Sequence, residues 1–153
     1  MLGFQFTGAL HRRVVGVAIT ALLMVAGIVS GCAHDAKGVS GQAVVRVTER
    51  DFKITAPRTV RGGAVEILSR NRGPDDHELI VVREGGAARL PLRRDGITVD
   101  EDALEPVKAG ALEPFAGGTV GVLHLNLAPG RYVLFCNMAG HFLGGMHSTL
   151  VVR

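Results

Sequence analysis

The sequence lacks the features that mark several specialised protein classes. It has no fixed-period repeat and no low-complexity tract, which argues against solenoids and repeat arrays. Charged residues make up only 20% of the chain and apolar residues 47%, a balance that supports a globular core and argues against disorder. At 153 residues, the chain has the length of one domain of ordinary size.

A large excess of positive charge is also missing. The formal net charge is +3, but the first thirty residues contain two arginines and no acidic residue. Without Arg12 and Arg13, the chain has 15 basic and 14 acidic residues, so its net charge is close to +1. The charge balance is therefore no indication of nucleic-acid binding, and we expect no nucleic-acid partner.

The N-terminal segment has the composition of an export signal. Its two arginines precede an almost wholly apolar run (residues 14–29), which is followed by Ser30, Gly31 and Cys32. This order is typical of secretory signals, and the run is short for a membrane span of about 20 residues. The segment resembles a bacterial lipoprotein signal, which implies removal of residues 1–31 and lipidation of Cys32. A plain transmembrane anchor and an ordinary cleaved signal are the alternatives.

The export signal changes the meaning of the two cysteines. Residues 33–42 are small and polar, as in a flexible tether. We therefore expect an exported domain over residues 43–153, lipid-anchored through Cys32 to the outer face of the cell membrane. Cys136 is then the only thiol of that domain, and a lone cysteine outside the cytoplasm needs an explanation. An intermolecular disulfide, a buried inert thiol, a reactive nucleophile and a metal thiolate are all open.

The domain has the pattern of an all-β fold. Segments rich in β-branched or alternating apolar residues are separated by turns of glycine, proline and aspartate. The predicted strands are residues 43–48, 52–55, 64–69, 78–82, 120–127, 132–135 and 148–152. Residues 85–118 are predicted to be a loop-rich insertion with a short helix near residues 100–104. The pattern predicts a β-sandwich, which an immunoglobulin-like module would share, so fold alone does not decide the function.

Three side chains near the C-terminus have the chemistry of metal ligands. Four residues separate Cys136 from His141, and four separate His141 from Met146, in a glycine-containing loop that can bring them together. Thiolate, two imidazoles and a weak thioether form the ligand set of electron-transfer copper, whereas zinc sites seldom use methionine. Taken singly, a cysteine at a strand end is more often a buried small hydrophobe, and a methionine more often fills the core.

Several histidines could supply the remaining imidazole. His34 lies in the tether, and His124 lies mid-strand, where its neighbours pack the other way. His147 adjoins Met146, so strand alternation turns it away from that side chain. His77 lies where a Gly-Pro-Asp-Asp loop meets a strand, in position to project from the end of a sandwich. His77 is therefore the preferred second histidine.

The segment around these ligands resembles the C-terminal ligand loop of cupredoxins, with a strand, Cys-Asn, Gly-His, Gly-Met and a final strand. Its spacing is similar to that of rusticyanin- and sulfocyanin-like proteins, whereas plastocyanins and azurins each have one shorter interval. The upstream run through Asn71, Gly73 and His77 resembles the Asn-x-Gly turn and histidine strand of the same family. The resemblance covers residues 43–152 and leaves the insertion unmatched.

The resemblance implies a Greek-key β-sandwich that holds one type 1 (blue) copper. Carried over residue by residue, His77, Cys136 and His141 are the equatorial ligands and Met146 is the axial ligand. The sequence departs from the family pattern after the first histidine, where Glu78 replaces the Asn or Ser that helps to hold the cysteine sulfur. Backbone N–H groups are then the expected support of the sulfur.

The implied function is one-electron transfer between redox partners by a carrier that is not an enzyme. The ring edge of His141, flanked by Met138, Phe142 and Leu143, is the expected site of transient partner docking, and we expect a monomer. A copper chaperone or copper-homeostasis protein is the alternative, although the chain has only four methionines. Multicopper enzymes would need further histidine clusters, and a metal-free adhesion sandwich would leave Cys136 unexplained.

Overall fold

A computed structural model describes residues 41–85 and 90–153. The predicted signal, Cys32 and nearly all of the tether lie outside these residues. The described strands are β1 (Ala43–Arg50), β2 (Lys53–Thr55), β3 (Thr59–Val60), β4 (Gly63–Asn71), β5 (His77–Arg83), β6 (Lys108–Phe115), β7 (Val120–Leu127), β8 (Gly130–Phe135) and β9 (His147–Val152). A short helix α1 (Glu101–Leu104) continues into a 3-10 turn (Glu105–Val107). Within the described ranges, no helix is long and apolar enough to cross a membrane.

The strands form two sheets packed face to face. One sheet has the order β2-β1-β4-β7 and the other the order β3-β9-β8-β5-β6. Strands β1 and β4 run parallel, as do β3 and β9, and the remaining pairs are antiparallel. The all-β sandwich predicted from the strand pattern is confirmed.

The core lies between the sheets because alternate residues of each strand point inward. On β4, Val65 and Ile67 are fully buried, and Leu134 and Leu150 face them from the five-stranded sheet as part of the same core cluster. Burying each of these side chains contributes about 1.5–3 kcal/mol. The cluster also includes Cys136 and Met146, so the candidate ligands lie at one end of the core.

The prediction of a loop-rich insertion over residues 85–118 is wrong in its second half. Residues Lys108–Phe115 form β6, an edge strand that pairs with β5. Its sequence, KAGALEPF, is low in β-branched residues and contains glycine and proline, which an edge strand tolerates because one side of its backbone is unpaired. The expected short helix is present as α1, with the Asp100 carboxylate accepting a bond from the Ala103 amide at 3.3 Å.

Side chains from residues 90–107 cover the outer face of the five-stranded sheet. Val99 and Leu104 pack with Ile80, Val82 and Phe135 in a second core cluster. Strand β5 is therefore buried on both faces, which agrees with its unbroken apolar run from residue 79 to 82.

Candidate metal centre

The metal centre lies at the end of the sandwich where several strands begin or end together. His77 is the first residue of β5, and Cys136 directly follows β8. Met146 directly precedes β9, so the segment from residue 136 to 146 is a loop between two paired strands. We call this segment the ligand loop. The topology thus brings His77 to the loop from a strand that pairs with β8.

Three of the four predicted ligands converge on one point. The candidate donor atoms of His77, Cys136 and His141 all lie within 4.8 Å of one another. The Cys136 sulfur is 4.0 Å from Nδ1 of His77 and 3.5 Å from Nδ1 of His141. The ring centroids of the two histidines are 5.2 Å apart, and the ring planes meet at an angle of 63°. The same nitrogen of each imidazole therefore faces the sulfur, an arrangement that can enclose one metal ion.

Backbone hydrogen bonds fold the ligand loop into successive turns. The His141 amide donates to the Met138 carbonyl at 2.8 Å, and the Met146 amide donates to the His141 carbonyl at 3.0 Å. Positive φ angles of 79° at Gly140 and 101° at Gly145 permit these bends, which are unfavourable for residues with a side chain. The loop therefore has a geometry that the sequence specifies locally.

Met146 is fully buried and belongs to the same core cluster as Cys136. The Cys136 amide donates to the Met146 carbonyl at 3.1 Å, which holds the two residues side by side. This placement is compatible with an axial thioether, and the role of Met146 as a ligand stays a prediction.

Burial sets the protonation of the donor atoms. It raises the pKa of the Cys136 thiol to about 11, against the opposing effect of the Glu78 and Met138 backbone amides. Burial also lowers the pKa of His77 below its usual value, and the nearby His141 ring lowers it further. At neutral pH the thiol is therefore protonated and the His77 ring is neutral, so metal binding has to displace the thiol proton.

Glu78, where the sequence departs from the cupredoxin pattern, contacts the ligand loop through its side chain. Its carboxylate accepts a hydrogen bond from the Asn137 backbone amide at 3.1 Å. Burial and then the nearby Glu101 carboxylate raise the pKa of Glu78 to about 7. Glu78, the residue after His77, thus holds Asn137, the residue after Cys136.

The insertion also holds the ligand loop, a role that the sequence did not indicate. The Asn137 side chain bonds both polar groups of the Val99 backbone, accepting from its amide at 2.5 Å and donating to its carbonyl at 3.0 Å. It also donates to the Glu101 carboxylate at 2.8 Å. The Gly140 amide donates to the Ile97 carbonyl at 3.1 Å. The insertion is therefore fastened to both ends of the segment between Cys136 and His141.

Two further residues of the site come from the turn between β1 and β2 (residues 50–53), and sequence reasoning missed both. Asp51 lies with a carboxylate oxygen 3.2 Å from Nε2 of His77. The Phe52 ring meets the His141 ring edge-on at 5.3 Å between centroids. Phe52 has a left-handed backbone (φ 62°) and is 52% exposed. No motif marks these residues, because aspartate is common in turns and Phe52 has the apolar character of the strand predicted over residues 52–55.

The other described histidines lie outside the His77–Cys136–His141 group. His124 is 64% exposed and lies 3.7 Å from the Glu66 carboxylate. His147 is exposed, and its ring lies 5.3 Å from that of Phe142. His34 lies outside the described residues.

The residues expected to dock a partner differ in exposure. Leu143 is 53% exposed. Met138 and Phe142 are partly buried, and Phe142 packs edge-on against Phe135 at 5.6 Å between centroids as part of the second core cluster. Their role in docking stays a prediction, and Phe142 also has a structural role.

Solved structures with the same fold include auracyanins and rusticyanin. Auracyanin from Roseiflexus castenholzii aligns with a TM-score of 0.56 and 18% identity, over 73% of this chain and 98% of that chain. Auracyanin A from Chloroflexus aurantiacus, described as a "blue" copper protein, aligns with a TM-score of 0.56 and 18% identity, over 74% and 100% of the two chains. Rusticyanin from Thiobacillus ferrooxidans aligns with a TM-score of 0.50 and 13% identity, over 72% and 77%.

The fold and the site together define the class of the domain. The chain has the cupredoxin fold, with a His-Cys-His group placed to hold a metal at one end of the sandwich. The resemblance to cupredoxins predicted from the ligand loop is confirmed at the level of the fold. No family model matches the sequence, and no curated protein matches it.

Proposed function

We propose that the domain binds one copper ion in a type 1 site and carries single electrons between redox partners. The observation that carries this proposal is the convergence of the Cys136 sulfur and the Nδ1 atoms of His77 and His141 in a buried site. Together with the adjacent Met146, these donors match the ligand set of blue copper and match no common zinc set. Bound copper would supply the chemistry by alternating between Cu(II) and Cu(I).

The chain's contribution is a cage that stays nearly fixed during electron transfer. The three donor residues are between 0% and 8% exposed. The ligand loop is bonded to itself, to Glu78 and to the insertion. Because so many bonds would have to break before the ligands could move, little reorganisation accompanies each transfer.

An exposed apolar surface beside His141 is the proposed docking patch. We define it by the exposed side chains of Phe52 and Leu143 together with the partly buried Met138 and Phe142. Phe52 is added to the residues predicted from sequence because its ring contacts the His141 ring. Apolar patches beside a buried redox centre suit brief docking, since they associate without a network of specific hydrogen bonds.

A kinetic experiment tests this docking patch. Leu143→Glu places a charge in the patch without removing a buried side chain, so we expect slower electron transfer to a redox protein partner and an unchanged visible spectrum. Val122→Glu is the matched control, because Val122 is 48% exposed on the outer face of the four-stranded sheet and is not part of the docking patch. Equal transfer rates in the two variants would contradict the proposed docking patch.

The rival function, a copper chaperone, predicts a different kind of site. Chaperones exchange metal through exposed ligands, whereas His77 and Cys136 are fully buried. The burial of these donors favours a carrier that retains its metal, and we propose a carrier instead of an enzyme or chaperone.

The proposed location is the outer face of the cell membrane, through a lipid on Cys32. Anchoring that persists needs more than one acyl chain, as bacterial lipoproteins carry. Mass spectrometry of the mature N-terminus should find acylated Cys32, and Cys32→Ser should remain unlipidated. An unmodified Cys32 in the membrane fraction would contradict lipid anchoring.

A further inference from the structure

We propose that Asp51 is a positioning residue for the copper ligand His77. Its carboxylate accepts a hydrogen bond from the Nε2–H of the ring, so that the lone pair of Nδ1 faces the metal. This inference rests on the proposed function, since it assigns Asp51 a role toward the same copper site.

The geometry pairs these two groups and offers them no other partner. Oδ1 of Asp51 and Nε2 of His77 are 3.2 Å apart, and both atoms are shielded from solvent. The contact is bent beyond hydrogen-bond geometry, and neither atom has another hydrogen-bond partner among the described residues. Since a buried donor and a buried acceptor are costly when unpaired, a small rotation that joins them into a hydrogen bond is favoured.

Gly73 makes room for this pair. A Cβ atom at position 73 would overlap Oδ1 of Asp51 and lie 2.8 Å from Nε2 of His77. Asn71 holds Gly73 in place, because its side-chain oxygen accepts from the Gly73 amide at 2.9 Å while its side-chain nitrogen donates to the Phe115 carbonyl at 3.1 Å. The Asn-x-Gly turn thus leaves a space that the carboxylate and the ring share.

A neutral imidazole carries one proton, and the position of that proton decides which nitrogen can bind a metal. With the proton on Nε2 toward Asp51, Nδ1 is free, and Nδ1 is the atom that lies 4.0 Å from the Cys136 sulfur. A carboxylate acceptor also makes the ring a better electron donor. Better donation stabilises Cu(II) relative to Cu(I), so Asp51 should lower the reduction potential.

The tautomer can be measured without any metal. In 15N-labelled, metal-free protein at neutral pH, we expect the imidazole nitrogen signals of His77 to show the proton on Nε2. In Asp51→Ala, the proton should shift at least partly to Nδ1. An unchanged tautomer in Asp51→Ala would overturn the proposal.

Copper binding gives a second readout with a matched control. Asp51→Ala should weaken copper binding by about 10–100-fold, the range for partners that orient a ligand. Asp51→Asn keeps an oxygen acceptor without the charge, so it should restore most of the affinity while raising the reduction potential. Asp75→Asn removes a nearby exposed charge that does not contact Nε2 and should change neither the tautomer nor the affinity.

The outcomes separate this proposal from the proposed function. Equal losses of affinity in Asp51→Ala and Asp75→Asn would indicate a general charge effect and overturn the positioning role. If Asp51→Ala did not fold, an unchanged reduction potential in Asp51→Asn would overturn the proposed effect of the Asp51 carboxylate on His77. If the unmodified protein bound no copper, the proposed function would fail, while the tautomer in metal-free protein would still decide the role of Asp51.

Discussion

The ligand loop and the β1–β2 turn contact the same metal centre with different chemistry. The loop places the Cys136 sulfur and the His141 ring in the site as donor atoms. The turn places Asp51 against Nε2 of His77 and Phe52 against the ring of His141, away from the Nδ1 atoms that face the sulfur. The loop therefore carries two of the three candidate donor residues, and the turn contacts both imidazoles.

Because the two segments contact the site differently, substitutions in them should have effects of different size. Removing a donor atom or its charge changes metal binding directly. Altering the supports around the turn changes fold stability and ligand orientation while the donors remain. Two predictions probe the donors, and two probe the supports.

The largest effect should be the pH dependence of copper binding. Burial raises the pKa of the Cys136 thiol to about 11, so the thiol remains protonated across the neutral range. Because copper must displace this proton, apparent affinity should rise about tenfold per pH unit above neutral pH, or about a thousandfold from pH 7 to pH 10. Titration against a competing chelator at several pH values measures the slope, and an affinity independent of pH would contradict a thiolate ligand.

The next effect should follow from removing one imidazole. His141→Ala should weaken copper binding by more than about 100-fold, since even partners that only orient a ligand affect affinity by about 10–100-fold. His124→Ala is the control, because that histidine is exposed and far from the donor cluster in the sheet. Similar affinities for the two variants would exclude His141 from the site.

On the side of the supports, Glu49 precedes the turn by one residue and should make stability pH-dependent. It is fully buried, with one carboxylate oxygen bonded by the Ser69 hydroxyl at 2.6 Å and the other unpaired. Burial raises the pKa of Glu49 from 4.5 to about 7. Protonated Glu49 therefore contributes about 3 kcal/mol to the free energy of unfolding. This contribution is fully present below pH 4.5 and is lost as the pH rises through about 7.

Glu49→Gln should remove this contribution from the pH profile. The variant should match the original protein near pH 4.5 and be more stable by about 1–3 kcal/mol near pH 7.5, because it buries no charge. Denaturant unfolding of metal-free protein at both pH values measures the difference. If the two proteins differed in stability by the same amount at both pH values, ionisation of Glu49 would not be the cause of that difference. Glu78 is present in both proteins and titrates in the same direction, and its charge is one of the causes of the raised pKa of Glu49.

The smallest effect should come from filling the space beside the turn. Gly73→Ala would force Asp51 and His77 apart and should destabilise the fold by about 1–3 kcal/mol, the usual cost of overpacking. Gly85→Ala is the control, since a Cβ atom at position 85 meets no atom of the described residues within 4 Å. Thermal or denaturant unfolding compares the two, and equal stability would show that the space around Gly73 is not tightly filled.

The sequence indicated the candidate donors because their residue types are rare and their spacing is regular. A lone thiol, a histidine and a methionine at four-residue intervals are improbable as ordinary core or surface residues, and a strand-starting histidine completed them. The alternating strands were equally clear, with β7 predicted at its observed bounds of Val120–Leu127. These features are local, so a pattern within a few residues contains them.

What the sequence did not reveal depends on contacts between distant segments. Strand β6 has little intrinsic β propensity and forms because it pairs with β5 at the sheet edge. Asp51 has the composition of an ordinary turn residue, and only the approach of β5 places it against His77. The bonds between Asn137 and Val99 join residues 38 positions apart. No local pattern indicates contacts of this kind.

The visible absorption spectrum after addition of Cu(II) tests the central claim most directly. Purified protein should bind one copper per chain and develop the intense charge-transfer band of a copper–thiolate bond, which gives type 1 sites their blue colour. Cys136→Ala should lack this band. A protein that binds no copper, or a band that persists in Cys136→Ala, would contradict the assignment of a type 1 copper site.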